Sequence, residues 1–187
     1  MELTPCPWAQ GEDYLDYHDN EWGVPQYDAQ KLFEKLCLEG QQAGLSWITV
    51  LRKRDRYRQQ FFDFDPKKIA KLSDADIEQR LQDTGLIRNK LKLFGIRKNA
   101  LAYLKLVEEG VGFSEWIWSF IGGEPVINRF ASMKEIPTET DEAKAMSKAL
   151  KKAGFTFVGP TICYAFMQSM GMVNDHLTNC PKHPDNL

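Results

Sequence analysis

The chain has 187 residues, 43% of them hydrophobic and 12% aromatic, enough to bury one core and short for two. Its formal net charge of -2 is unevenly spread: residues 1–45 carry 2 basic and 9 acidic side chains, residues 46–110 carry 15 and 9, and the remainder carry 7 and 8. No stretch approaches the roughly 18–20 uninterrupted apolar residues of a membrane span, and Met1 to Gln10 lacks the basic start and apolar centre of a secretory leader, so one soluble, cytoplasmic domain over residues 1–187 is expected, without a membrane partner.

Apolar residues recur with helical spacing along nearly the whole chain. Asp28 is placed to cap a helix whose inner face is Leu32, Phe33, Leu36 and Cys37. Gly40 and Gly44 loosen the chain after it, and Ser46 caps a second helix carrying Trp47, Ile48, Leu51 and Phe61, which sets Glu39 to Trp47 at a helix–helix junction. Asp65-Pro66 opens a short helix, and Ser73 with Asp76 resembles a capping box for another that stops at Gly85. Leu91, Phe94, Ala102, Leu104 and Val107 suggest a long helix up to Gly110, followed by one rich in Phe113, Trp116, Ile117 and Phe120. After a loop with Pro125 and Pro137, Thr140 or Asp141 caps a helix through Met146, Ala149 and Leu150 that ends at Gly154. Residues 155–160 then lead directly into a helix from Thr161 to Met170, closed by Gly171, so that about 141–171 reads as helix, Gly-containing hairpin, helix. Strand-like alternation never persists, and an all-α fold is expected.

The basic charge gathers in two clusters, Arg52, Lys53, Arg54, Arg56 and Arg58, then Arg88, Lys90, Lys92, Arg97 and Lys98, which fit either a nucleic-acid footprint or a solvated helix face. Four cysteines in a cytosolic chain argue against a disulfide framework. Cys37 and Cys163 fall at apolar helical positions and read as simply buried. Cys6 and His18 near the start, with His176 and Cys180 near the end, make up a Cys2His2 set of the tetrahedral zinc type, with His183 as a competing ligand. With four protein ligands such a site is structural and ties two chain ends together; the alternative is a free thiol, a surface histidine and a helix-end histidine.

Trp8, Tyr14, Tyr17 and Trp22 precede a lone acidic residue, Glu39, which lies among apolar neighbours in the run Leu38 to Trp47. Aromatic faces with one carboxylate suit a cationic planar ligand, and an aromatic-rich core is the plainer alternative. The hairpin between Leu150 and Tyr164 can hold a DNA phosphate on backbone N–H groups, or be only a tight αα-turn.

Four long motifs carry a resemblance: YHDNEWGVP (17–25), LEGQQAGLSWITVL (38–51), FVGPTICYAFMQ (157–168) and VNDH (173–176). Together they closely resemble the 3-methyladenine DNA glycosylase I family over essentially the whole chain. The resemblance implies an all-helical fold with a helix-hairpin-helix element and one structural zinc ion held by Cys6, His18, His176 and Cys180, favouring His176 over His183. It implies that Tyr14, Tyr17, Trp47 and Trp8 line a pocket for the flipped base and that Glu39 hydrogen-bonds the methylated purine. Gln42, Gly44 and Leu45 would fill the gap left in the duplex, and Gly159 and Thr161 would contact DNA.

In the wider helix-hairpin-helix superfamily, bifunctional members carry a lysine two residues after the last hairpin glycine, where this chain has Thr161. Lacking that amine, it is expected to be monofunctional, with no lyase step. Many relatives also place an aspartate after a valine past the second helix; here Asn174 holds that position, with Asp175 next, so the usual catalytic aspartate is in question. The implied reaction is hydrolysis of the N-glycosidic bond of 3-methyladenine in alkylated double-stranded DNA, releasing the free base and leaving an abasic site. Methylation at N3 gives the base a positive charge while it is attached and departure leaves it neutral, so binding of the cation by Glu39 and the aromatic faces matters more than a strong general acid. A catalytically inert DNA-damage binding module on the same scaffold is the competing reading. No feature signals an oligomer, and a monomer is expected.

Overall fold

The computed structural model describes residues 2–187 and is mostly helical, with ten α-helices among those residues. They are α1 (Glu12–Asn20), α2 (Ala29–Gln41), α3 (Trp47–Leu51), α4 (Arg54–Gln60), α5 (Pro66–Ile69), α6 (Asp74–Arg80), α7 (Lys90–Glu108), α8 (Phe113–Ser119), α9 (Asp141–Ala153) and α10 (Pro160–Ser169). The departure from an all-α pattern is a two-residue parallel pair, β1 (Val126–Ile127) with β2 (Val173–Asn174), in the register Val126 to Val173 and Ile127 to Asn174. Two residues per strand bury too little to count as a sheet layer, and the pair serves to pin the loop after α8 beside the chain leaving α10. No helix is long and apolar enough to cross a membrane.

Local chemistry explains most helix ends. The Asp28 carboxylate accepts from the Lys31 N–H, and Ser73 and Asp76 exchange both bonds of a capping box. Thr140 caps α9, whose end is turned by Gly154 at φ 105°, a left-handed conformation that costs a glycine nothing. Three expectations need correction. Helix α6 ends at Arg80, short of Gly85. Ser46 stands at the start of α3, but its hydroxyl meets Thr49 Oγ1 rather than a backbone N–H, and the helix breaks at Arg52 and Lys53, so Phe61 lies beyond the end of α4. In α7, Leu91 and Val107 are exposed, and the buried face is Leu93, Ile96, Ala100 and Leu106. Apolar residues surround that helix, and the face turned inward is the one where Gly95 and Asn99 admit the hairpin.

Helix α2 begins at the surface, is buried from Lys35 to Gln41, and packs against α7, α8, α10 and the turn at Phe62–Phe64. Its residues from Lys35 to Gln41 have no exposed face, which makes their two charges, on Lys35 and Glu39, costly unless paired.

The first basic cluster is largely spent inside the molecule. Arg52 pairs with Asp13, Arg54 forms a two-pronged pair with Glu21, Arg56 pairs with Asp83 and Arg58 with Glu34. In the second cluster Arg97 meets Asp74 and Lys90 meets Glu78, while Arg88 and Lys98 join none of the ion pairs among the described residues. Asp13, Glu21 and Glu34 of the acid-rich N-terminal quarter thus pair with Arg52, Arg54 and Arg58 of the basic middle, and the other pairs of the two clusters lie within that middle.

Candidate functional site

Three groups of residues make up the candidate site. The first is a box: Trp8, Tyr14, Tyr17, Trp22, Glu39, Gln42 and Trp47 line a cavity of about 190 Å³, closed by Met133, Ile136, Ala165 and Gln168. Its aromatic rings stand edge-on and tilted to one another, with Trp8 at 4.9 Å from both Tyr14 and Trp22, and Tyr17 at 5.5 Å from Trp47. The Glu39 Oε2, Gln42 Oε1 and Trp47 Nε1 atoms are buried and have no hydrogen-bond partner. Buried polar atoms are rarely left unpaired, and three on residues lining one cavity mark a place where a ligand supplies the partners. Two are acceptors and one is a donor.

Behind the rings lies Lys35, one helical turn before Glu39 and 5% exposed. Its ammonium donates to Tyr17 Oη at 2.6 Å, sits 3.6 Å from Glu39 Oε1, and lies 3.3 Å from the centre of the Trp47 ring. Burial pushes Glu39 up, with Lys35 pulling it partly back, and burial brings Lys35 down to about 8 against the pull of Glu39. Lys35 was hidden in the sequence by its charge, since lysines mostly sit at the surface; its signal was the spacing of four from a carboxylate on an apolar helix.

The second group holds the hairpin and the tip beside the box. Thr156 N–H donates to Asn99 Oδ1 at 2.8 Å, Asn99 Nδ2 donates back to Thr156 O at 3.3 Å, and Ser147 Oγ donates to Val158 O at 2.6 Å. Phe157 takes a positive φ of 56°, uncommon for a bulky residue, and packs onto α2 at Gly40 and onto α7 at Gly95. A Cβ on Gly40 would stand 3.0 Å from Phe157 Cβ and 3.1 Å from its carbonyl oxygen. Gly40→Ala is therefore expected to lower stability by about 1–3 kcal/mol in denaturant titration, because the backbone of the hairpin has to move. Gly159 precedes α10 without a side-chain cap, and Thr161 on its first turn is exposed.

At the end of α2, Lys92 Nζ donates to the carbonyls of Gln41 at 2.9 Å and Ala43 at 2.6 Å, and Gln41 Nε2 donates to Lys92 O. This lysine caps the helix from across the core. Beyond it, Gly44 at φ 77° and Leu45, 45% exposed, form a projecting tip, whereas Gln42 is half-buried and faces the box.

The third group is Cys6, His18, His176 and Cys180, all buried, with their ligand atoms within 4.8 Å of one another. The two imidazoles approach to 3.1 Å, Cys180 Sγ is 3.5 Å from each, and Cys6 Sγ is 3.8 Å from His176 Nδ1. The other ring nitrogens are held: His18 Nδ1 by Asp19 at 2.8 Å, His176 Nε2 by the Trp22 carbonyl at 2.9 Å. A hydrogen bond shared with Cys180 pushes the Cys6 thiol up, with burial adding to it, and the same bond holds Cys180 far below the ordinary thiol value, His176 and His18 contributing. The cluster is one that could hold a metal ion. His183 stays outside it, with Nε2 on the Asn128 carbonyl and Nδ1 accepting from the Asp185 N–H. Cys37 and Cys163 are buried singly, as expected.

Neither residue at the position of the superfamily aspartate opens onto the box. Asn174 Oδ1 accepts from the His176 N–H. Asp175, 1% exposed, accepts from Tyr164, Gln168 and Asn128, and reaches the cavity only through Gln168. Met133, Ile136, Ala165 and Gln168 were not foreseen as box residues; they come from a loop and a helix remote in sequence.

The family model described as methyladenine glycosylase matches residues 8–183. The chain is 58% identical over 179 residues to the DNA-3-methyladenine glycosylase of Haemophilus influenzae, covering 95% of this chain and 97% of that one. Its structure is similar to a crystal structure of 3-methyladenine DNA glycosylase I at 53% identity and a TM-score of 0.96, over 97% and 100% of the two chains. It is similar at 36% identity and a TM-score of 0.94, over 98% of each chain, to a Staphylococcus aureus 3-methyladenine DNA glycosylase I solved for its recognition of 3-methyladenine.

Proposed function

Because the chain belongs to the methyladenine glycosylase family, we propose that it excises 3-methyladenine from alkylated duplex DNA by hydrolysing the N-glycosidic bond, as a monofunctional base-excision repair enzyme. The observation that supports this most directly is the set of unpaired atoms in the aromatic box. Adenine offers donor hydrogens on N6 and acceptors on its ring nitrogens, which complement the acceptors Glu39 Oε2 and Gln42 Oε1 and the donor Trp47 Nε1. A base inside a duplex cannot reach such a cavity, so the nucleotide rotates out of the stack. Leu45 and Gly44, projecting beside the cavity, fill the gap, and Gly159 and Thr161 at the start of α10 hold the backbone.

The rings of Trp8, Tyr14, Tyr17 and Trp47 line the pocket of the base, where stacking contributes about 1–3 kcal/mol per base, and favour its positive charge. Glu39 orients the methylated purine and supplies the opposite charge. Water attacks C1′ of the deoxyribose as the C1′–N9 bond breaks and the base leaves neutral, and the surplus proton of the water passes to solvent. Thr161 provides no amine for a covalent intermediate, so the strand stays uncut. Against the inert-binder alternative stands the family itself, whose matched relatives are named as glycosylases.

The residues Cys6, His18, His176 and Cys180 fit one zinc ion. Bonds of about 2.3 Å to sulfur and 2.0–2.1 Å to nitrogen in a tetrahedron set edges of roughly 3.3–3.8 Å, close to the spacings of the cluster. Asp19 and the Trp22 carbonyl would fix the imidazole tautomers. With four protein ligands there is no open position, and the ion's part is to join the first turn of the chain to the last.

The test is direct. Duplex DNA treated with a methylating agent, incubated with the protein and analysed by chromatography, is expected to release free 3-methyladenine and leave heat-labile abasic sites without strand breaks. Borohydride trapping of a covalent adduct would overturn the monofunctional assignment, and absence of 3-methyladenine release would overturn the enzyme.

A further inference from the structure

We infer that Lys35 is the resident counter-ion of Glu39 and sets the charge preference of the box: the pocket accepts a cationic base as Lys35 gives up its own positive charge. The inference rests on the 3-methyladenine reading. Lys35 Nζ occupies the places a cationic ligand seeks, 3.3 Å from the centre of the Trp47 ring, 4.6 Å from that of Tyr17 and 3.6 Å from the Glu39 carboxylate. It does not line the base cavity but a second one of about 330 Å³ behind the rings. The carboxylate stands between two cation sites and can be neutralised by either.

A methylated base entering while Lys35 is charged leaves one excess positive charge in a buried site, which is unfavourable. The lower-energy bound state has a neutral Lys35, its proton lost to solvent through the second cavity. When the glycosidic bond breaks, the base becomes neutral and Lys35 takes a proton back to re-pair with Glu39.

The charged groups around Lys35 single out this pair. On α1, Tyr17 is pushed well above its ordinary value by burial and then by Glu39, and Glu21 is held down by Arg54 against burial. Arg54 of α4 is raised by Glu21 and stays charged. The Arg58–Glu34 pair and Lys31 line the far side of the second cavity, and α3 presents only the Trp47 ring. Lys35, lowered by burial to about 8, is the group that changes charge near neutrality. Binding that expels its proton strengthens with pH by up to about tenfold per unit below that point and levels off above it.

The experiment measures KM and kcat for 3-methyladenine release from methylated duplex, from about pH 7 to pH 9.5, for the wild type, Lys35→Met and Lys35→Arg. The inhibition constant of free 3-methyladenine, the neutral product, is measured alongside. The wild-type KM should fall about tenfold as Lys35 loses its proton and then level off. Lys35→Met should show the low KM already at neutral pH, and Lys35→Arg the high KM throughout, while product inhibition stays within about twofold in all three. A simple structural brace gives the opposite pattern: Arg restores wild-type behaviour and Met weakens substrate and product alike, which overturns the inference, as do three superimposable profiles. Should the larger guanidinium not pack, Lys35→Met decides alone, because its product inhibition reports an intact box. No release by the wild type at any pH sinks the glycosylase reading itself and this inference with it.

Discussion

Replacing Glu39 by glutamine is expected to lower kcat/KM for 3-methyladenine release by about one to two orders of magnitude, since a hydrogen bond to a charged group contributes about 1.5–3 kcal/mol and each 1.4 kcal/mol is tenfold. The amide has nearly the shape of the carboxylate, so the box keeps its walls and loses its negative charge. The cation in DNA should therefore suffer more than the free neutral base, whose affinity is measured by quenching of tryptophan fluorescence. Loss confined to kcat, with affinity for damaged DNA intact, would move Glu39 from recognition to the chemical step. The same substitution strips Lys35 of its counter-ion, and a buried ammonium left alone sheds its proton.

The second large effect concerns the Cys2His2 cluster. The protein is expected to carry one zinc per chain by elemental analysis, and Cys180→Ala to lose it. Structural zinc is worth about 10–16 kcal/mol in small peptides that have no other core. Here the helices supply a core, so a part of that, several kcal/mol, is expected to disappear, and at about 2–4 °C per kcal/mol for a chain of this size the melting temperature falls by about 10–20 °C. A strong chelator should bring the wild type to the same value and leave the variant unmoved. A metal-free protein as stable as the untreated one would refute the structural role. The box should weaken together with the site, because their residues alternate along the chain: Trp8 follows Cys6 by two, Tyr17 adjoins His18, and the Trp22 ring lies 4.8 Å from that of His176.

Much of this was legible in the sequence because it depends on neighbours in the chain. Asp28, the Ser73–Asp76 box, Thr140 and Gly154 act on groups within a few residues, and the helix ends they fix appear where the spacing puts them, whereas α6 ends at Arg80 and not at Gly85. Cys6, His18, His176 and Cys180 were recognisable as a donor set by residue type, and their convergence is a matter of the whole fold. What escaped was long-range and polar. Asn99 clasping Thr156, Lys92 capping α2 from α7 and Lys35 beneath the box are all polar residues in the interior, each satisfied by a partner that no local pattern announces. The break between α3 and α4 escaped for a different reason, since neither glycine nor proline marks it. The face of α7 was misjudged because Leu91 and Val107 are apolar residues left exposed.

The pairing of Arg52, Arg54, Arg56, Arg58 and Arg97 with carboxylates of the same chain has a bearing on how the protein travels along a genome. Non-specific affinity for duplex DNA comes from condensed counterions set free when lysines and arginines replace them at the phosphates. Side chains already neutralised at home displace few. Weak and short-lived binding to intact duplex is therefore expected, with a lasting hold only where a nucleotide is flipped into the box.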